Sequence, residues 1–252
     1  MHVYKQSNTE QIKITWTGGA GFLITFGKIR IGIDLYLSDA CRGADGSFKR
    51  LTLAPCEVKD LALDYLISTH DHGDHFDVDS VPKMLEINEK MKIICPSSVI
   101  TFADNMGLDM SRFIRLDRGM QFQEEVFCLQ AVTADHGEET PDAIGVIFNI
   151  AGKRIFFAGD GTWHENYQEL TLGEKGFDVM MVAINGQYGN PDSGQAADIA
   201  SMLEAKLVIP CHYWMFMEHG GDPQTFVNAC LEKHPPLHPI VLAVGEEYTL
   251  QE

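Results

Sequence analysis

The residues with the clearest chemical potential lie in one short segment, residues 68–77. It reads Ser-Thr-His-Asp-His-Gly-Asp-His-Phe-Asp, so three histidines and three aspartates crowd its last eight positions. Imidazole and carboxylate groups are ligands that borderline transition metals accept readily. The segment directly follows an apolar run, and a loop that leaves a strand can aim alternate side chains at one point. We therefore predict that His70 and His72 face one metal ion and that Asp74 and His75 face a neighbouring one.

Further ligands are expected elsewhere, because four side chains cannot complete two catalytic metal sites. Three more residues of ligand type each follow an apolar, strand-like run: they are His136, Asp160 and His212. Strand ends on a rigid scaffold are well placed to bring such groups together at one pocket. The sequence thus predicts a set of seven ligand residues drawn from several strands.

The elements that must position these residues can be predicted from the pattern of apolar residues. Strand-like runs occur at residues 12–16, 22–26, 29–34, 65–68, 92–95, 126–132, 144–150, 154–158, 179–184 and 207–210, and helix-like segments at 81–90, 97–106, 193–203 and 222–233. Strands come first, and then strands mixed with helices. This order favours two sheets packed face to face with helices outside, in a single domain over residues 1–252.

Composition excludes several classes of protein. Of the 252 residues, 45% are hydrophobic and 22% are charged, as in a globular domain. The formal net charge of -17 makes a nucleic-acid partner unfavourable. No run reaches the roughly 20 apolar residues of a membrane helix, and the opening residues lack a signal peptide's apolar core, so we expect no membrane partner and a cytoplasmic location. The six cysteines form no CxxC pair and are predicted to be reduced thiols.

The order of these motifs resembles that of the metallo-β-lactamase superfamily: His-x-His-x-Asp-His, a lone histidine, a Gly-Asp at a strand end and a final histidine. The resemblance covers essentially the whole chain. It implies an α/β (α+β) fold, a four-layer αββα sandwich with a dinuclear metal site at one edge. Segments 16–22 (WTGGAGF), 185–190 (NGQYGN) and 207–213 (LVIPCHY) are also similar to the L-ascorbate-6-phosphate lactonase branch and to small metal-dependent hydrolases.

The resemblance also implies a role for each candidate ligand. The first ion would be held by His70, His72 and His136, the second by Asp74, His75 and His212, and Asp160 would bridge them. Asp34 would orient metal ligands by contacting them, without binding a metal ion itself. The implied cofactors are two divalent metal ions, for which zinc is expected, with manganese or iron as alternatives.

Such a site predicts hydrolysis, because metal coordination can lower the pKa of water from 15.7 to about 7. We expect a dinuclear-metal-bound hydroxide to open a small lactone or a related ester or amide. Asp74 and Asp160 would serve catalysis as ligands. His164, Tyr188 and Tyr213 are candidates to donate a proton to the leaving group or to contact the substrate. A role as a surface or wall residue also stays open for each of them. His219 is interpreted as a loop residue.

Two other functions use the same residues. A phosphodiesterase acting on a small molecule would need the same metals, and a non-catalytic metal-binding protein would need only the ligands. The expected partner in either enzymatic case is a small-molecule substrate. The sequence leaves open whether the chain forms a homo-oligomer.

Overall fold

The first sheet is built mainly from the first half of the chain. A computed structural model describes residues 10–251, so residues 1–9, which entered the signal-peptide argument, and residue 252 lie outside it. The strands of this sheet are β1 (Ile12–Gly18), β2 (Gly21–Phe26), β3 (Ile29–Ile33), β4 (Tyr65–Ile67), β5 (Lys92–Cys95), β6 (Phe113–Arg115) and, from the end of the chain, β14 (Glu247–Thr249). Their order across the sheet is β14-β1-β2-β3-β4-β5-β6.

The second sheet mirrors the first in size. Its strands are β7 (Gln121–Gln123), β8 (Phe127–Thr133), β9 (Ile144–Ile150), β10 (Lys153–Phe157), β11 (Val179–Ala183), β12 (Leu207–Cys211) and β13 (His238–Pro239). Their order is β13-β12-β11-β10-β9-β8-β7. Every residue of β11 is buried, as expected of a strand covered on both faces.

Five α-helices complete the described chain: α1 (Val81–Ile87), α2 (Ser97–Asn105), α3 (Tyr167–Leu170), α4 (Ser193–Met202) and α5 (Pro223–Lys233). Apolar residues of α1 and α2 share a core with β4 and β5. The main core joins the two sheets and includes buried residues of α4 and α5. The predicted αββα sandwich is confirmed.

The helix predicted over residues 81–90 is shorter than expected. It ends at Ile87, because Asn88 leaves helical dihedral angles (φ -101°, ψ 76°). The Asn88 amide donates to the carbonyl oxygens of Met84 and Leu61, and its Oδ1 accepts from the backbone N–H of Leu63. Asparagine thus caps the helix while tying it to the preceding loop, a use of this side chain that favours helix ends over interiors.

The glycine turn between β1 and β2 has a clear structural cause. Gly18 and Gly19 have φ angles of 97° and 57°, in the region that residues with a Cβ rarely adopt. The carbonyl oxygen of Gly19 then accepts hydrogen bonds from Trp16 Nε1 at 2.9 Å and from the backbone N–H of His212 at 2.8 Å. The turn of the first sheet therefore fixes the backbone of a predicted ligand in the second.

Two further sequence-based expectations can be compared with the structure. Within residues 10–251 all six cysteines are free thiols. In that part of the chain, no helix is long and apolar enough to cross a membrane.

Candidate metal centre and active site

The predicted ligands meet because their strands end at one edge of the sandwich. β10, β11 and β12 are parallel, and β9 is antiparallel to both β8 and β10. The strands β8, β10 and β12 therefore run in one direction, and the loops after them carry His136, Asp160 and His212. The loop after β4 brings the histidine segment to the same place.

Three histidines define the first candidate metal position. His72 Nδ1 lies 3.0 Å from His70 Nε2 and 3.3 Å from His136 Nε2. Two donors at tetrahedral angles around an ion, each about 2.1 Å from it, would lie about 3.4 Å apart. The three side chains also form one of the groups whose candidate ligand atoms all lie within 4.8 Å of one another. Their spacing therefore fits a common ion.

The second candidate position is formed by Asp74, His75, His212 and Asp160. His212 Nε2 lies 3.2 Å from His75 Nε2, 3.2 Å from Asp74 Oδ2 and 3.4 Å from Asp160 Oδ2. His75 Nε2 lies 3.8 Å from Asp74 Oδ2 and 3.5 Å from Asp160 Oδ2. These five separations are close to the edge of a tetrahedron of ligands.

Asp160 lies between the two positions. Its Oδ2 atom is 3.9 Å from His136 Nε2, in the first group, and 3.4 Å from His212 Nε2, in the second. The same oxygen accepts a hydrogen bond of 2.8 Å from Asn190 Nδ2. Asp160 Oδ1 is buried and has no hydrogen-bond partner within residues 10–251. A buried carboxylate oxygen needs a partner, and a metal ion fits this one.

Asp34 orients the candidate ligands through hydrogen bonds. It is fully buried, and its carboxylate accepts hydrogen bonds from His75 Nδ1 at 2.7 Å and from the backbone N–H and side chain of Thr69 at 2.8 and 2.7 Å. A bond at Nδ1 leaves His75 Nε2 free to face the other donors. The position predicted for Asp34 by resemblance is therefore matched by its contacts.

The charges in this cluster depend on one another. Burial opposes protonation of His75, but Asp160, Asp74 and Asp34 outweigh it and raise its pKa well above the ordinary value. Burial also disfavours the charged form of Asp74, yet His75 and His212 lower its pKa. For His70, burial and the charge of His75 lower the pKa. An incoming cation would replace the His75 proton as the partner of these carboxylates.

Comparison with known proteins shows the family to which the chain belongs. A family model described as a beta-lactamase superfamily domain matches residues 35–213. The chain belongs to the metallo-β-lactamase superfamily. A UPF0173 metal-dependent hydrolase of Thermus thermophilus is 28% identical over 231 residues, covering 88% of this chain and 92% of that protein. A UPF0173 metal-dependent hydrolase of Hyperthermus butylicus is 29% identical over 244 residues, covering 93% and 98%.

Solved structures of metallo-β-lactamase superfamily proteins and related hydrolases share the fold. Igni18, a novel metallo hydrolase from Ignicoccus hospitalis, superimposes with a TM-score of 0.74 at 21% sequence identity. The match covers 96% of this chain and 99% of that one. It supports the αββα architecture of this superfamily member.

In this metallo-β-lactamase superfamily protein, the cluster of candidate ligands faces a cavity of about 680 Å³. Predicted ligands in its wall are His72, Asp74, His136, Asp160 and His212. Apolar and aromatic side chains form much of the remaining surface, including Val78, Phe48 and Phe216. The cavity gives a small molecule direct access to the candidate metal positions.

Two residues predicted from sequence to assist catalysis lie elsewhere. His164 is bound to Asp135 at 2.8 Å, with 40% of its side chain exposed. Tyr213 is buried and stacks on Trp16, with ring centroids 5.0 Å apart. Neither is among the described residues that line the cavity. Closeness in sequence to a ligand was misleading, because the chain does not stay extended after either ligand. His212 has a φ angle of 61°, so the chain turns before Tyr213, and His164 lies in an irregular segment where it pairs with Asp135.

Sequence reasoning missed His219, which it interpreted as a loop residue. His219 is buried, lines the cavity and stacks on His212 with ring centroids 4.6 Å apart. Its candidate ligand atom forms a group with those of Asp74 and His212. Burial and the charge of His212 lower its pKa to about 3. Tyr188, considered from sequence, also lines the cavity.

Proposed function

We propose that the chain is a metal-dependent hydrolase that opens a small lactone or a related ester or amide, with two divalent ions bound at the site described above. The observation that carries this proposal is the position of Asp160 Oδ2, which lies within 3.9 Å of donor nitrogens from both histidine groups. The curated relatives named metal-dependent hydrolases add support. Zinc is the proposed metal, with manganese or iron as alternatives.

The chain's own residues would hold and orient the reacting groups. Bound divalent ions would supply a water molecule of lowered pKa and a Lewis acid for a carbonyl oxygen. His70, His72 and His136 would hold one ion. Asp34 keeps His75 oriented towards the other, and Asn190 keeps Asp160 between them. The cavity beside these residues would hold the substrate close to the ions and limit the access of bulk water.

The decisive test is hydrolysis by protein purified without added metal, analysed for its elements and then reconstituted with the metals found. Turnover of lactones, esters and amides is compared with that of bis(p-nitrophenyl) phosphate. We expect lactone or ester hydrolysis, and we expect His72→Ala to abolish it while the far-UV circular dichroism stays unchanged. His164→Ala is the matched control and should retain activity.

Three results would overturn the proposal. Near wild-type turnover by His72→Ala at full metal occupancy would place the active site elsewhere. Phosphodiester cleavage faster by tenfold or more, about 1.4 kcal/mol of transition-state stabilisation, would favour the phosphodiesterase instead. Absence of hydrolysis across the panel, with two ions bound, would favour a metal-binding protein without catalysis.

A further inference from the structure

Four aromatic rings form a continuous wall of the cavity beside the candidate metal positions. The ring centroid of Phe48 lies 5.6 Å from that of Phe216 and 5.9 Å from that of Tyr188. His219 joins the wall to the cluster, with its ring centroid 4.8 Å from Phe216 and 4.6 Å from His212. We call Phe48, Tyr188, Phe216 and His219 the aromatic wall. All four residues line the cavity.

Two residues of the aromatic wall have unusual backbone conformations. Phe48 and Tyr188 have φ angles of 48° and 54°, which bulky residues rarely adopt. The backbone N–H of Phe48 donates to Glu218 Oε1 at 3.2 Å, which ties it to the loop that carries His219. Such conformations persist only where the surroundings impose them, and they concentrate at ligand-binding sites. The backbone of Phe48 is therefore fixed against the loop that carries His219, which holds its ring at the cavity.

The charge of the cavity restricts what could bind there. The described residues that line the cavity include no lysine or arginine, but they include Glu138 and Glu139. An anionic group on the substrate, away from the metals, would face carboxylates without a cationic partner. Within the wall, His219 Nδ1 is buried and finds no hydrogen-bond partner in residues 10–251.

We infer that the aromatic wall is a subsite for an uncharged aromatic group of the substrate. Aromatic rings pack favourably against one another in stacked or edge-to-face arrangements, and the wall offers several such faces. The substrate class would then be an aryl lactone, ester or amide that carries no phosphate or carboxylate. This inference rests on the proposed hydrolase function and narrows it.

The first experiment measures binding to metal-free protein, because bound ions would attract any anion. Benzamide and phenyl phosphate are titrated separately and followed by nuclear magnetic resonance shifts. We expect benzamide to bind and phenyl phosphate to bind at least tenfold more weakly. Phe48→Ala should weaken benzamide binding by about tenfold, and Phe122→Ala, in a half-buried aromatic cluster away from the cavity, should leave it unchanged.

The second experiment uses metal-loaded protein and three lactones: 3,4-dihydrocoumarin, its 6-carboxylate and δ-valerolactone, which has no aromatic ring. Dihydrocoumarin should have the highest kcat/KM. Phe48→Ala should raise its KM by about tenfold. The same variant should change the KM for δ-valerolactone by less than twofold. Phe48→Leu should fall between Phe48→Ala and the unmodified protein.

The inference is overturned if phenyl phosphate binds metal-free protein as tightly as benzamide. It is equally overturned if Phe48→Ala raises the KM for dihydrocoumarin and δ-valerolactone by the same factor. Failure of the proposed function gives a different result: no lactone is hydrolysed, while benzamide still binds the metal-free protein and loses affinity in Phe48→Ala. That outcome supports the subsite and rejects the hydrolase.

Discussion

His75 Nδ1 donates a hydrogen bond to Asp34 Oδ2 over 2.7 Å, and both side chains are fully buried. Asp34 stands directly after β3 with a φ angle of 43°. The same carboxylate accepts from the backbone N–H of Thr69, the residue before the first histidine of the ligand segment. The Asp34 carboxylate thus fixes the backbone at the start of the ligand segment and orients the ring of His75, the last histidine of that segment.

Asp34→Asn should therefore weaken metal binding without removing any ligand. An amide can bond His75 less strongly than a carboxylate and does not raise the basicity of its imidazole. Loss of such supporting contacts typically costs 10–100-fold in metal affinity or activity. Competition with a coloured chelator measures the affinity. Asp64→Asn, at an exposed aspartate that accepts from the backbone N–H of Arg30, is the matched control. Equal affinities in the two variants would contradict the supporting role of Asp34.

His212→Ala should lower the metal content from about two ions per chain towards one. Catalytic sites hold their ions with about three protein ligands and have few to spare. Elemental analysis after dialysis gives the count. His164→Ala should keep the full content, because this histidine is paired with Asp135 instead. An unchanged content in His212→Ala would reject the assignment of His212 to the second ion.

Asn190→Ala should lower kcat while leaving the fold intact. Its side chain donates to Asp160 at 2.8 Å, and without this bond the Asp160 carboxylate can rotate away from the other candidate ligands. The expected loss is about tenfold in kcat, as for other contacts that orient a metal ligand. Steady-state kinetics on metal-saturated protein measures it. Asn166→Ala, at an exposed asparagine bonded to Glu169, serves as the control. The role of Asn190 would be rejected if both variants kept wild-type kcat.

His219→Gln should make the metal-free protein less sensitive to mild acid. The pKa of His219 is about 3 in the folded chain, against an ordinary 6.5. As the pH falls from 6.5 towards 3, the unfolded chain therefore binds a proton that the folded chain does not, and stability is lost. Between pH 7 and pH 5 this loss is about 2 kcal/mol. Urea unfolding at both pH values, in wild type and variant, measures the difference. If the free energy of unfolding of wild type and variant depended equally on pH, the lowered pKa of His219 would be contradicted.

The ligand positions could be predicted because strand ends carry a local signal. His136, Asp160 and His212 each follow a short apolar run, and parallel strands bring such ends to one edge. His219 could not be found this way. It reaches the cavity because the chain turns back after β12, with positive φ angles at His212 and Trp214. These reversals leave no periodic pattern of apolar residues.

Phe48 was also beyond sequence reasoning. It lies between β3 and β4 in a long irregular segment, whose path is set by side-chain bonds to distant residues. The bond from the Phe48 backbone to Glu218 is one example. Local propensities carry no information about such contacts. They predicted ten of the described strands and four of the α-helices, but not β6, β7, β13, β14 or α3, which have only two to four residues each and so show little periodicity.

The pairing of β14 with β1, in which Lys13 lies opposite Thr249, has a consequence for synthesis on the ribosome. β1 is translated well before its partner β14, because residues 18 and 247 are separated by more than 200 residues. At roughly 5–20 residues per second, this edge stays unpaired for on the order of tens of seconds. An open strand edge is a template for aggregation. A nascent chain that stalls before residue 247 would keep that edge exposed, which makes it a substrate for chaperones or proteases.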